Sequence, residues 1–527
     1  MKSFIQKTLT ILILLLTEAT IAFTQPSILQ QKCFGGSNSE GNFRAHETSD
    51  GGILIVGVTR SNDGDVSGLH DTLQDVWAVK LDANGSLQWQ KCLGGTNADF
   101  GYDGYEAGNG YFIVAYSKSN DGDVSGNHGD HDYWVVRLTK SGQIIWQKSI
   151  GGSSNDNVQF ATLSLDKAIV ITGFTDSNDG DFTGNKGQYD LWVTKVDTFG
   201  NIVWNKNYGG SDADLGVGIS TCSDGGYIVA GASSSIDGDP IGCDQTSGST
   251  WVLRLNADGD LVWQKCLGGS LGEEGFNALQ VFEGRYMVLS FTESNDGDVS
   301  GNHGIWDFWL VHLDSDGDII WQKCFGGSGF DIPFGLLETS DHHFILSGFV
   351  DSNDGDVSGN HGSVDGWIIE VDSSGNLVWQ KCIGGSGYDE MWDVSFFNGQ
   401  EVIFTGSTDS NDGDVTNNHG AGDVVLFKLS SVVGIPSPIT YPAFSISAFP
   451  VPASDEINVT ITSENSDKMT LELFNSIGQA VLSMSNITVN RSNQIVSIQS
   501  KNLPSGSYHL VAGSEIQFGE TEVVIIR

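Results

Sequence analysis

The sequence predicts an all-β chain: a seven-bladed β-propeller of four-stranded blades closed by the N-terminal strand, followed by a small C-terminal β-sandwich. Three observations carry this. An Asp-rich segment recurs at Asp63, Asp121, Asp179, Asp237, Asp296, Asp354 and Asp412, an interval of about 58 residues, and self-similarity at a fixed period marks a repeat architecture. A second marker keeps the same phase: Trp89-Gln-Lys-Cys92, Trp146-Gln-Lys-Ser149, Trp204-Asn-Lys-Asn207, Trp263-Gln-Lys-Cys266, Trp321-Gln-Lys-Cys324 and Trp379-Gln-Lys-Cys382. Between the markers the apolar runs are short, bounded by turn residues and without helical periodicity.

Repeat six shows the unit in order. Residues 334–340 and 344–350 are joined by an Asp-His-His turn and read as a hairpin. After the Asp-rich loop, residues 366–371 and 377–381, joined across 372–376, read as a second. Four antiparallel strands per unit describe a propeller blade. The seventh copy supplies residues 402–405 and 424–429 but stops before its Trp-Gln-Lys strand, and residues 28–32 are an orphan strand of that type. Pairing the two would close the ring and remove its exposed edges. Up-and-down connectivity puts the short turns on one face. The Asp-rich loops and the Gly-Gly-Ser crossovers (326–331, 384–389) fall on the other, which should be strongly acidic.

Composition bounds the partners. Lys+Arg 25 against Asp+Glu 66 gives a net charge of -41, which argues against nucleic acid and anionic membranes and suits cations or neutral ligands such as glycans. Residues 1–24 read as a signal peptide, with basic Lys2 and Lys7, an apolar run 9–16 and small Ala19 and Ala22 before a cut near Thr24/Gln25. No later run reaches the roughly 20 apolar residues of a spanning helix, so no membrane span is expected in the mature chain. The expected domains are the signal peptide, the propeller over 25–431, a Pro-bearing linker over 432–442 and a separate all-β unit over 443–527.

Cys33, Cys92, Cys266, Cys324 and Cys382 fall at one equivalent position, where Ser149 and Asn207 stand in other repeats, so they read as small half-buried residues. Cys222 and Cys243, peculiar to the decayed fourth repeat, are the expected bridge.

Counted from Asp354, the loop carries acids at positions 1, 3 and 12, a hydroxyl at 5 and glycine at 6: Asp354, Asp356, Ser358, Gly359 and Asp365. This is the oxygen-ligand spacing of a twelve-residue calcium loop. The frame recurs with Asp121, Asp123, Ser125 and Asp132; with Asp179, Asp181, Thr183 and Asp190; with Asp296, Asp298, Ser300 and Asp307; and with Asp412, Asp414, Thr416 and Asp423. Repeat one offers Asp63, Asp65 and Ser67, then Asp71 at position 9, with Asp75 one step late. Repeat four, with Asp237, Asp239 and Pro240, has lost the hydroxyl and the last acid, and no ion is expected there. These loops resemble the EF-hand-type loops set in β-propellers such as integrin α subunits, which implies structural calcium. They depart from that pattern in using Asp at position 12. The competing reading is that Asn-Asp-Gly-Asp is a self-capping turn. His128, His303, His361 and His419 stand at position 8 without a Cys or second His consistently beside them, which disfavours zinc.

In the tail, Phe449-Pro-Val-Pro-Ala-Ser-Asp455, Ile457-Asn-Val-Thr-Ile461, the run 471–482 and Leu503-Pro-Ser-Gly-Ser-Tyr508 together resemble the C-terminal sorting domain of the type IX (Por) secretion system of Bacteroidetes-type bacteria. Val451 departs from the usual asparagine, and residues 523–527 carry few lysines. The resemblance implies Sec export through the periplasm. Passage by the type IX machinery to the cell surface or medium would follow, usually with the tail cleaved.

The functional expectation is a calcium-binding exported propeller serving as a binding or adhesion module for a glycan or a surface protein. The alternative is a secreted polysaccharide-degrading, glycoside hydrolase-like enzyme, which needs two carboxylates about 5–10 Å apart. Glu106, Glu273, Glu274, Glu390 and Asp393 break the repeat and are the acids it could use. A third possibility is a structural adhesin stiffened by its loops. A deep pocket lined by non-repeated acids and aromatics would favour the enzyme; a shallow, evenly acidic face would favour binding.

Overall fold

The structure, a computed structural model, describes residues 25–430 apart from 244–247 and 399–400, and in the tail 445–449, 456–463, 467–475, 480–489, 492–501, 503–513 and 518–525. The signal peptide and the linker expected at 432–442 lie outside the described residues. The chain divides into two units, residues 1–436 and 437–527.

The first unit is the expected propeller. Seven four-stranded antiparallel sheets follow one another, six of them ordered a-b-c-d in the chain. Blade 6 is typical, with strand a at Asp331–Glu338, b at Phe344–Val350, c at Asp365–Val371 and d at Leu377–Ile383. Blade 7 takes strands a to c from Asp389–Phe397, Glu401–Thr408 and Asp423–Leu429, and its strand d is Ile28–Phe34 from the start of the chain. The closing register is the one used elsewhere: Cys33 lies opposite Val425 as Cys92 lies opposite Trp77 and Cys382 opposite Trp367.

The blade follows from its side chains. Strand c is buried along its whole length in blades 1 and 3 to 6, which is why it reads as a continuous apolar run rather than an alternation. Its tryptophan (Trp77, Trp134, Trp251, Trp309, Trp367) is fully buried. A buried indole N–H needs an acceptor. The Gln of the Trp-Gln-Lys strand supplies it at 2.8 Å in blades 1, 2 and 4 to 6. The tryptophan of that strand instead reaches the next blade, Trp89 donating to the Lys140 carbonyl and Trp204 to that of Ala257.

The cysteine expectation is corrected. Cys243 is bonded to Cys266, while Cys222 is free and buried. The strand-d position of Cys266 faces the b–c loop in other blades too: Ser149 Oγ donates to the Ser125 carbonyl and Asn207 Nδ2 to that of Gly184. In blade 4 the altered loop brings Cys243 to that contact.

The second unit has two sheets, Ser445–Phe449, Glu456–Ser463 and Ser492–Gln499 in one, and Ala480–Val489, Asp467–Asn475, Gly506–Gly513 and Phe518–Ile525 in the other. Ile457, Val459 and Ile461 of the first and Leu471, Leu473, Leu510 and Ile525 of the second share one buried cluster. Among the described residues no helix is long and apolar enough to cross a membrane.

Candidate functional site

The Asp-rich loops lie on the same face as the crossovers, because they hold them in place. The position-1 acid of every loop accepts the backbone N–H of the third crossover residue: Asp354 from Ser328 at 2.7 Å, Asp121 from Thr96 at 2.8 Å, and likewise Asp63, Asp179, Asp237, Asp296 and Asp412. Position 3 reaches the first glycine of the crossover, as Asp356 does Gly326 at 3.4 Å and Asp181 Gly151 at 3.3 Å. The position-5 hydroxyl accepts from the strand-d glutamine, Ser358 from Gln380 and Ser300 from Gln322, both at 2.6 Å. Position 12 opens strand c. There Asp132, Asp307, Asp365 and Asp423 accept both the backbone N–H and the Nδ1–H of the position-8 histidine, the latter at 2.5 to 2.7 Å.

Positions 1, 3, 5 and 12 of one loop therefore serve different segments. What position 12 meets is the next blade. A Cβ added at Gly326 would stand 2.7 Å from Asp307 Oδ1 and equally 2.7 Å from Asp331 Oδ2, the acid that opens strand a of blade 6. The same pairing recurs across Gly35 (Asp423, Glu40), Gly94 (Asp75, Asp99), Gly151 (Asp132, Asp156), Gly209 (Asp190, Asp214) and Gly384 (Asp365, Asp389). Oδ1 of Asp132, Asp190, Asp307, Asp365 and Asp423 is buried without a hydrogen-bond partner. Burial raises these strand-opening carboxyls, Asp75 and Asp190 to about 6 and Asp156 and Asp331 to about 7. Among the described residues no group of three or more His, Cys, Asp or Glu is disposed to hold a metal ion. What the junctions bring together is pairs of buried carboxylates, with an unpaired Oδ1 on the strand-c member in five of them.

The channel offers a different site. Strand a of every blade carries a β-bulge at one place, between Gly101 and Asp103 in blade 2 and between Pro333 and Gly335 in blade 6, for example. A bulge re-aims the residue it extrudes. The extruded residues Tyr102, Gln159, Val217, Phe276, Phe334 and Trp392, with Asn42 from the two-residue bulge of blade 1, line one cavity of 240 Å³ together with Arg44. Phe334 stacks on Trp392 with centroids 4.1 Å apart, and Phe276 meets Phe334 edge-on at 5.4 Å.

Beside the cavity lies a cluster of buried charge. Arg44 stands 4.0 Å over the Phe160 ring and donates through Nη1 to the carbonyls of Tyr102 (3.1 Å) and Gln159 (3.3 Å). His46 Nε2 meets Asp103 Oδ1 at 2.7 Å, its ring stacked on Tyr105 at 4.2 Å. Burial works against a charged His46, but Asp103 and then Asp393 outweigh it and raise its pKa. Asp393 accepts the Ala45 N–H at 3.1 Å, and burial holds its own pKa up.

Of the acids that break the repeat, Glu273 opens strand a as Asp331 does, and Glu106 is tied to Ser49 and Lys140 at the far end of its strand. Glu274 and Glu390 precede the bulge residues Phe276 and Trp392 by two positions. Glu390 accepts from Trp392 Nε1 at 2.9 Å, and burial raises both carboxyls. Sequence reasoning missed Arg44, His46 and Asp103 and the bulge ring, whose common feature is a place in a strand rather than a residue type. It also missed His70, and it noted Asp75 only as an acid one step late. They form the histidine–aspartate contact of blade 1 at 2.6 Å, while among the described residues Asp71 accepts only from its neighbour Thr72.

Residues 447–527 match the family described as the secretion system C-terminal sorting domain. The regulatory protein FlaEY of Caulobacter vibrioides is 29% identical over 183 residues, 33% of this chain, and the match spans only 18% of that protein's length. Among solved structures, the Neurospora crassa Pan2 WD40 domain is 9% identical with a TM-score of 0.42, covering 75% of this chain and 91% of that one. PorZ, a surface component of the type IX secretion system of Porphyromonas gingivalis, is 10% identical with a TM-score of 0.37, covering 94% and 60%. Residues 447–527 are a type IX sorting tail, and the chain is a seven-bladed propeller exported to the cell surface or the medium.

Proposed function

We propose that this chain is an exported propeller that binds a glycan or protein ligand in its channel cavity, entered from the acidic loop face. The observation that carries the reading is the contrast between scaffold and cavity. Seven bulges at one repeated place present seven residues of which four are aromatic, and none follows the repeat consensus. Apolar walls with a few polar groups are the usual make-up of a ligand site. The walls are Asn42, Arg44, Tyr102, Gln159, Val217, Phe276, Phe334 and Trp392, without a carboxylate, whereas glycoside hydrolysis in its usual form requires two. That supports binding over the enzymatic alternative.

Calcium belongs to this reading as a structural ion. What supports it is the buried, unpaired Oδ1 of the strand-c aspartates, each opposed by an acid of the next blade, an arrangement that a cation would relieve. With external calcium at about ten times the dissociation constant, each occupied site would add about 1.4 kcal/mol.

The test is solid-phase binding of the purified chain to immobilised polysaccharides and extracellular matrix proteins, with and without Trp392→Ala. Retention on a subset of surfaces, lost in the variant, is expected. Retention unaffected by the variant would remove the channel from the reading, and release of reducing ends from any polysaccharide would favour the enzyme.

A further inference from the structure

Resting on the channel-binding reading, we infer that the cavity takes one uncharged sugar ring of a neutral glycan, its flat C–H face laid on the Trp392 ring, which Phe334 backs, and its hydroxyls met by Arg44, Asn42 and Gln159. Size is the first reason. A cavity of 240 Å³ admits a single ring rather than a folded peptide segment. The second is the chemistry of the walls. The faces of aromatic rings carry negative charge density and attract the weakly positive C–H edges that a pyranose presents on its flat side. Phe334 and Trp392 are stacked on each other, nearly parallel at 18° with centroids 4.1 Å apart, so the surface offered is that of the half-buried Trp392 ring, backed by Phe334.

The polar groups discriminate further. Arg44 spends Nη1 on two carbonyls, while its Nε is buried without a partner, and the side-chain amides of Asn42 and Gln159 make no hydrogen bond to described residues. A hydrocarbon side chain of a protein partner would leave these groups unpaired on binding, each at a cost of about 1–3 kcal/mol. Hydroxyls of a sugar would pair with them as both donors and acceptors. Charge settles which sugars. Arg44 is the charged residue of the walls, but Glu390, which accepts from Trp392 Nε1, and the acidic loops repel uronic acids and sulfated sugars, in a chain of net charge -41.

The experiment titrates the purified chain with cellohexaose, chitohexaose and mannohexaose, with oligogalacturonate as the anionic control and a Trp-rich hexapeptide as the protein-like probe. Tryptophan fluorescence and calorimetry read the binding, on wild type, Trp392→Ala and Gln159→Ala. The last changes a half-buried polar wall residue rather than an aromatic one, so it stays informative where loss of Trp392 harms folding. A neutral hexasaccharide should bind, oligogalacturonate should not, and each variant should weaken binding about tenfold or more. If the peptide binds in a Trp392-dependent way and no neutral sugar does, the sugar is overturned and the channel reading stands. If a neutral sugar binds equally well to both variants, the channel reading falls and this inference with it. No binding by any neutral probe at about 10 mM, a few kcal/mol of affinity, overturns the inference as well.

Discussion

Asp307 and Asp331, on neighbouring blades, each bring a carboxylate oxygen to the same side of Gly326, where a Cβ would stand 2.7 Å from both. The glycine is there because two buried acids crowd its Cα. Gly326→Ala must push one carboxylate from its hydrogen bonds, Asp331 from the Gly327 N–H or Asp307 from His303. A loss of about 1–3 kcal/mol is expected by urea unfolding, typical of overpacking. A melting curve unchanged from wild type would mean that the junction is loosely held.

The acid pairs also set a pH dependence. Burial, with a smaller push from the neighbouring carboxylate and against the hydrogen bonds they accept, lifts Asp156 and Asp331 to about 7, well above an unfolded aspartate. A group whose folded pKa is raised contributes stability fully present below its unfolded pKa and lost as pH rises through the folded one. Without calcium the propeller should therefore lose stability steadily between about pH 4 and 7 on this account. With calcium at the junctions the carboxylates are held ionised, so the fall should flatten and the melting temperature at pH 7 should rise. Thermal unfolding with excess calcium and with chelator, at three pH values, checks both. A fall with pH that is the same in calcium and in chelator would place the ion elsewhere or nowhere.

How much of this was legible in the sequence depends on whether a feature repeats as a residue type. The blades, the face that carries the loops and the closing strand follow from period and connectivity alone, and Cys33 opposite Val425 is in the register that the Trp-Gln-Lys marker implies. The loop aspartates were found, but their partners were not. Asp365 meets Asp389 of the next blade instead of the acids of its own loop, and only the curvature of the ring brings those two together. The cavity was not legible at all. Tyr102, Gln159, Phe276 and Trp392 share a backbone bulge and nothing in residue type, and a bulge leaves no signature when the extruded residue varies. Asp393 was noticed as an acid out of place, yet its neighbours His46 and Arg44 come from the opposite end of the chain.

The Cys243–Cys266 bond closes a loop across a separation of 23 residues in the blade whose b–c loop has lost its hydroxyl and its strand-c acid, with Ser249 in the place of Asp307. It stands in for the hydrogen bonds that Ser149 and Asn207 make in their blades. Cys243→Ser should cost about 3 kcal/mol, and thiol titration of the denatured variant should rise by one group, that of Cys266. Cys222→Ser should leave the bridge intact. A fall in stability as large as that of Cys243→Ser would point to a different pairing.

Ring closure is the most severe test of the architecture. Ile28–Phe34 is the outer strand of blade 7, and it also carries Gln31, which exchanges hydrogen bonds with Thr416 of that blade's loop, the Thr416 hydroxyl donating to Oε1 at 2.8 Å and Gln31 Nε2 to the Thr416 carbonyl at 3.1 Å. Lys32 reaches from the same strand to the Asn84 carbonyl of blade 1 at 3.3 Å, so the strand ties the last blade to the first. Deleting residues 25–34 would bare the length of Asp423–Leu429, a strand buried almost throughout, as an unpaired apolar edge, which is a template for association with another chain. The truncated protein should aggregate or melt well below wild type, and adding a synthetic peptide of residues 25–36 should restore part of the lost melting temperature by refilling the edge. A truncated chain that stays monomeric with an unchanged melting curve would show that blade 7 holds without its fourth strand, and the ring would then be closed by contacts among strands a instead.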